Sequence, residues 1–516
     1  MSQQRLQVSL LEGEVWWGGD ITDGGAMPYG PKTFAKDLIA GIGGNQAVPL
    51  LVSSKGRFVW SEYPIRFQFK DNILTAECEE GELVLEERGS DLRSAFRAAS
   101  GAYFPPADSL PDARFFTVPQ YNLWIEMQYE PTQARTLQYA KDVLANGLPP
   151  GILMIDDNWM EDYGVWKFRS DRFPDPKAMT DELHRLGFQV MLWTCPFVSP
   201  DNAANFRWLE SRDYLLRDEN GEIAIRRWWN GYSAVLDMTN ASAADWYHAQ
   251  LQGLMEEYGI DGFKFDAGDP EYYRASDRSA APQHPNGHCE AWANVGLRYS
   301  FNEYRACWKK AGQPLVQRLR DRQHSWDDNG LASLIPNGLA QGLAGYAYIC
   351  PDMIGGGLIG DVENNPDFRI DQELFVRYAQ CSALFPMMQF STAPWRVLDR
   401  EHLDCCIAAA KLHAELGDTF LELARHAAHT GEPIMRHMAY VFPGEGLEDA
   451  NDQFMLGDRL LVAPVVKKGE RRRLIRFPRG QWLGDDGSTI VGPCLTEVDA
   501  PLSRLPRYEL VGSLLD

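Results

Sequence analysis

From about residue 115 to residue 430, short apolar runs alternate with segments of helical periodicity, an order that leaves few folds open. FFTVPQYNLWI precedes TQARTLQYAKDVLAN, ILMIDD precedes PKAMTDELHRLG, and FQVMLW leads on to ASAADWYHAQLQGLMEEYG. GFKFDAG is followed by a long connection and by YSFNEYRACWKKAG, which reads as a helix. PLVQRL, YAYICPDM and ALFPMMQF continue the strand series before the helical HLDCCIAAAKLHAELGDTFLELARHAA. Strand and helix units of this length make a parallel sheet, and roughly eight of them close into a (β/α)8 TIM barrel, an α/β fold. Seven strands can be placed, and the eighth has no segment of its own.

On both sides of this region the pattern is all-β. Residues 5 to about 90 alternate apolar and polar positions between turn signals, as in AVPLLVSSKGRFVW and IRFQFKDNILTAEC, which predicts an N-terminal β-sandwich. A linker, PPADSLPDAR, closes it; from Gly431 short strands such as DRLLVAPVV and RRRLIRFP predict a small C-terminal β-sandwich. The expected domains are therefore 1–110, 111–430 and 431–516, which suits a chain too long for one ordinary core. With 72 acidic and 50 basic residues the net charge is −22, which repels nucleic acid and anionic lipid. Glu12 and Glu14 interrupt the stretch where a signal peptide needs apolar residues, and the nine cysteines are scattered without CxxC spacing. These features predict a cytoplasmic protein with no nucleic-acid or membrane partner.

Active sites of such barrels gather at the C-terminal ends of the strands, so polar residues that end apolar runs are informative. Here they are carboxylates: Asp156 and Asp157 in ILMIDDNW, Asp266 beside Lys264 in GFKFDAGD, Asp328 in HSWDDNG, and Asp352 in YAYICPDM. Each alone is as well explained as a helix cap or loop anchor. Together with Trp159, Trp193, Trp229, Trp326 and Trp395 they describe a sugar pocket, with acids for the chemistry and for hydroxyls and aromatic faces for the C–H surface of the ring. The ten histidines form no HxH or HExxH, no GxSxG is present, and the GGNQ and MIGGGLIG stretches lack phosphate-cradling spacing, so a metal, a serine nucleophile and a cofactor are not expected.

These residues resemble glycoside hydrolase family 31 over nearly the whole chain. GFKFDAGD is similar to the family's nucleophile strand, and WDDN to its WxGDN; the resemblance implies Asp266 as nucleophile and Asp328 as acid/base, with Asp327 as the neighbouring rival. KFRSDRFPDPKAM, WNGYSAVLDMTNASAADWY, PDMIGG, GEPIMRHMAYVFP and DQFMLGDRLLVAPVV match further family segments in order. PMMQFST departs from the pattern, placing Gln389 and Ser391 where glucose-specific members carry arginine and histidine. The stretch from Arg318 to Asp328 is short, which leaves Arg318 and Arg322 as alternatives for a sugar contact. KFDAG, PDMxGG and an N-terminal WxGG, which includes Trp17, are shared with a branch that includes α-galactosidase activity; IDDNW also resembles an α-galactosidase motif whose acidic pair holds O4 and O6.

The expected reaction is double displacement with retention, needing two carboxyl groups about 5 to 5.5 Å apart. Lys264, two residues before Asp266 on the same strand face, is expected to hold a hydroxyl and keep Asp266 ionised; Asp269 orients the nucleophile loop or caps a helix. The substrate is expected to be a small α-glycoside or oligosaccharide cut from its end, with α-galactose preferred. Glucose, xylose, N-acetylgalactosamine and sulfoquinovose, transglycosylation, and a sugar-binding protein without turnover are the alternatives. The long loop 270–299 fits a lid or a contact within a homo-oligomer.

Overall fold

The computed structural model of the chain describes residues 4–30, 32–39, 42, 44–360 and 369–512. Its centre is a ring of parallel strands: Gln120–Asn122, Ile152–Ile155, Gln189–Thr194, Gly262–Phe265, Phe301–Tyr304, Gln317–Arg318, Ile349–Cys350 and Gln389–Phe390, numbered here first to eighth. The ladder runs from the eighth strand through the first to the seventh, and the seam between its ends is bridged by the Ile354 N–H, which donates to the Gln389 carbonyl at 2.8 Å. The outer helices begin where short polar side chains satisfy free N–H groups: Thr132, Asp175, Asn240 and Asp371 each cap one in this way.

The strand that the sequence pattern did not supply is the fifth. YSFNEYRACWKKAG does not form a helix; it gives the barrel strand Phe301–Tyr304 and then Cys307–Trp308. The crossover helix is instead Pro285–Gly296, inside the segment expected to be a long loop. FNEY hides its strand character because its polar residues are buried and paired. Glu303 faces the barrel interior, accepting from Gln389 Nε2 at 2.8 Å, with Arg318 Nε 3.4 Å away. Asn302 accepts from Val316 N–H and donates to the carbonyls of Tyr299 and Pro314. The fourth strand must approach closely here: a Cβ on Gly262 would lie 2.1 Å from the Phe301 carbonyl oxygen.

The N-terminal part forms two sheets. Gln4–Ser9, Ile73–Cys78, Ile65–Lys70 and Phe34–Asp37 make one, and Gln46–Ser53, Arg57–Ser61 and Leu83–Glu87, with Trp16–Asp20, the other. Trp16 and Phe69 meet between them. Cys307–Trp308, contributed by the barrel region, extends the second sheet by pairing with Gln46 and Ala47. The C-terminal part is an all-sheet domain of six antiparallel strands built on the long hairpin Arg472–Gly484 and Thr489–Asp499. Among the described residues no helix is long and apolar enough to cross a membrane.

A buried arginine makes the densest set of bonds between the barrel and the C-terminal domain, beside Gln380, which donates to the Leu502 carbonyl at 2.6 Å. Arg377, on the helix Gln372–Ala383, donates to the carbonyls of Ala500 at 2.8 Å, Glu470 at 3.1 Å, Pro501 at 3.3 Å and Arg504 at 3.4 Å. Removing the guanidinium leaves these acceptors buried without a donor. Arg377→Met should lower unfolding stability by about 3 kcal/mol, read by chemical denaturation; a loss under about 0.5 kcal/mol would show that water replaces the arginine.

Candidate active site

The loops after the barrel strands enclose a cavity of about 650 Å³. Its floor is Asp266, which follows the fourth strand and is 8% exposed. Both carboxylate oxygens are held: Oδ1 accepts from Arg305 Nε at 3.0 Å and from the Ala267 N–H at 2.8 Å, and Oδ2 from Trp193 Nε1 at 3.0 Å, with Lys264 Nζ at 3.8 Å. Ala267 lies at φ 55°, a left-handed conformation that turns its N–H back onto the carboxylate. Burial alone would raise the Asp266 pKa. The Arg305, Lys264 and Arg318 charges and the Trp193 bond outweigh it and hold the carboxyl well below its ordinary range.

Arg305 comes from the end of the fifth strand. Its Nη1 and Nη2 grip Asp269 at 2.8 and 2.7 Å, its Nη1 also bonds the Gly44 carbonyl, and its guanidinium lies over Trp229, 5.7 Å from the ring centroid. Asp269 therefore orients Arg305 and makes no side-chain helix cap. GGNQ, read from sequence only as a turn, puts Gly44 in the pocket wall; its Gly43 lies outside the described residues.

A second acidic wall follows the second strand, where both Asp156 and Asp157 line the cavity. Asp156 accepts from Lys264 Nζ at 2.7 Å, and burial, which opposes the ammonium charge, is outweighed so that the Lys264 pKa rises. Asp157 accepts from Asn158 N–H at 2.7 Å, Asn230 Nδ2 at 2.7 Å and Tyr163 Oη at 3.2 Å. Asn158, at φ 69°, repeats the backbone device of Ala267. Burial and the adjacent Asp156 charge push the Asp157 carboxyl up to about 7, against the pull of its donors.

The structure gathers Asp156, Asp157, Trp193, Trp229, Lys264, Asp266 and Arg322 around one cavity, and leaves other expected residues elsewhere. Arg318 and Asp352 are fully buried beneath the lining, paired at 2.7 Å. Trp326 donates to Asp371 at 3.1 Å as a strut, and Trp17 is buried with its ring edge-on to His437. Trp159 is buried and donates to the Trp193 carbonyl, while Trp395 packs on Tyr139. Gln389 is bonded inside the barrel to Gln120 and Glu303, and Ser391 accepts from the Ile125 N–H, so neither reaches the cavity lining. Asp328 is exposed and is not part of the lining; neither is Asp327, which closes a turn with Ser325 and Asn329. This corrects the expected position of Asp328: its loop turns the side chain to solvent, although the next residue, Asn329, reaches the rim.

The sequence pattern did not single out Arg305, Asp321, Tyr163, Asn230, Glu271 or Tyr272. Arg305 was obscured by the helical reading of its strand, whereas Asn230 lay in a quoted segment, WNGYSAV, and was legible there. Glu271 and Tyr272 come from the expected long loop, which reaches the cavity wall through the turn Pro270–Tyr272. Among the described residues no group of three or more His, Cys, Asp or Glu side chains is disposed to hold a metal ion.

Comparison with known proteins agrees with this arrangement. The chain is 33% identical to the mouse (Mus musculus) myogenesis-regulating glycosidase over 407 residues, 76% of this chain and 56% of that protein, so it spans about half the length of that relative. The GH31 dextranase of Flavobacterium johnsoniae, solved with glucose, superposes with a TM-score of 0.88 at 21% identity, covering 99% of this chain and 67% of that one. A GH31 α-xylosidase from a soil metagenome, solved with xylose, gives 0.83 at 22% identity, covering 99% and 80%. Residues 118–416 match the glycosyl hydrolases family 31 TIM-barrel domain and residues 431–515 the C-terminal domain of the same family. With more than half of its length matched in this order, and with a carboxylate-floored pocket at the end of the matched barrel, the chain belongs to glycosyl hydrolase family 31.

Proposed function

We propose that the protein is a retaining α-glycoside hydrolase that releases a terminal sugar, with α-galactose preferred. The observation that carries this reading is Asp266: an ionised carboxylate on the floor of a pocket, both oxygens oriented, with hydroxyl-binding carboxylates on the adjoining wall. A nucleophile needs its charge kept at neutral pH, and the three cations around Asp266 do this. In the first step an Asp266 oxygen bonds to the anomeric carbon as the glycosidic oxygen leaves with a proton. In the second, water replaces Asp266 and the α configuration is restored. Trp193 fixes the nucleophile through its Nε1–H, and the half-exposed ring of Trp229 on the cavity wall suits the leaving group.

The preference for galactose rests on Asp156 and Asp157, since Gln389 and Ser391 lie off the lining. An axial O4 projects from one face of the ring, and two carboxylates on one wall, with Lys264 as donor, can answer O4 and O6 together. The wrong epimer leaves charged groups unpaired, at a discrimination on the order of a thousandfold. The nine cysteines are all unpaired, and a reducing, cytoplasmic setting is part of the same proposal.

Asp266→Asn should reduce turnover by several orders of magnitude while leaving the fold intact. Among p-nitrophenyl α-galactoside, α-glucoside, α-xyloside and α-N-acetylgalactosaminide, the galactoside should give the highest kcat/KM. A clear preference for another sugar would overturn galactose and leave the mechanism standing; no turnover of any of them, nor of p-nitrophenyl α-sulfoquinovoside, would leave a binding protein.

Asp157 supplies a pH prediction. Its carboxyl titrates at about 7 while Asp266 stays ionised far below that, so kcat/KM should fall as pH drops through 7 because Asp157 ceases to be a charged acceptor. Asp157→Asn should cost about 10- to 100-fold in kcat/KM and abolish this limb of the profile; an unchanged limb in the variant would remove Asp157 from sugar binding.

A further inference from the structure

We infer that the proton donor and general base of the reaction is Asp321, three residues beyond the sixth barrel strand. The inference rests on the glycosidase reading above and adds to it the residue facing the nucleophile. Retaining chemistry requires a second carboxyl group in the pocket that holds Asp266. Asp321 lines that pocket and Asp328 does not.

Electrostatics join the two groups independently of the cavity shape. Asp266 is stabilised by Arg305, Lys264 and Arg318, and each of these three cations is in turn stabilised by Asp321. The two carboxylates act on the same three cations and line the same cavity. Asp321 is also free to act: Oδ1 accepts from Arg318 Nη1 at 2.9 Å, whereas Oδ2 accepts no bond among the described residues, and the side chain is one-third exposed. Arg318 does not claim the group wholly, since it is bonded to Asp352 at 2.7 Å and lies 3.4 Å from Glu303.

Asp321 has both duties of the retaining pair. As the bond between the anomeric carbon and the glycosidic oxygen breaks, the Asp321 carboxyl proton passes to the leaving oxygen and Asp266 bonds to the carbon. The Asp321 carboxylate left behind takes a proton from water as the water oxygen bonds to the anomeric carbon and Asp266 departs with its electron pair.

The test compares Asp321→Ala, Asp321→Asn and Asp328→Ala in the full chain, on the preferred disaccharide and on its 2,4-dinitrophenyl glycoside. Asp321→Ala should lose at least a thousandfold on the disaccharide and much less on the activated glycoside. Azide should restore the rate and yield the α-glycosyl azide, which also shows that the variant is folded. Asp321→Asn, which keeps the Arg318 contact, should be equally slow on the disaccharide. Asp328→Ala should stay within about twofold of wild type. Azide rescue in Asp328→Ala, or near-normal disaccharide turnover by either Asp321 variant while Asp266→Asn is inactive, would overturn the assignment alone. A wild-type enzyme that turns over no glycoside would overturn the parent reading with it.

Discussion

The pocket is organised by the pairing of three buried cations with carboxylates from neighbouring strands. Lys264 on the fourth strand answers Asp156 after the second; Arg305, after the fifth, answers Asp266 and Asp269; Arg318, on the sixth, answers Asp352, Glu303 and Asp321. A lone charge at such depth would cost several kcal/mol, so none of these side chains is tolerable without its partner. The network therefore fixes the order of the strands at the top of the barrel as firmly as aliphatic packing does lower down. It also sets the electrostatics of the pocket, because the positive charge around Asp266 holds its buried carboxyl in the ionised form.

This network decided what the sequence made legible. ILMIDD is apolar until its two closing acids, and FQVMLW and GFKF are interrupted by one polar residue each, so these strands stand out, as do Asp156, Asp157 and Asp266 at the ends of two of them. FNEYR carries its charge within the strand, where Glu303 meets Arg318 and Gln389, and a strand with a polar interior has no two-residue apolar alternation to detect. The missing strand and the missing arginine are therefore one omission with one cause. The two all-β flanks were readable from strands that do have one wet face, such as Ile65–Lys70 and the long Arg472–Gly484.

The proposed acid/base position illustrates a different limit. WDDN fixes a register by local similarity, but the short stretch from Arg318 brings the chain over the cavity seven residues earlier, at Asp321, and carries it back to the surface by Asp328. Chain length between a strand end and a motif determines where a side chain can reach, and the motif letters do not record it. Gln389 and Ser391 show the same thing: they occupy familiar places in the alignment of segments and bond within the barrel wall.

The short strand Cys307–Trp308 has a wider meaning. It leaves the barrel to join the N-terminal sheet, and from that sheet Asn45 and Gln46 reach back to bond the carbonyls of both Arg305 and Arg318. The two arginines that carry the pocket's charge are thus held, through their own main-chain carbonyls, by side-chain amides of the N-terminal part. The N-terminal sheet acts as a jig for the pocket beside it, and a substitution at Asn45 or Gln46 would act on the pocket's charges through the main chain of the arginines that carry them.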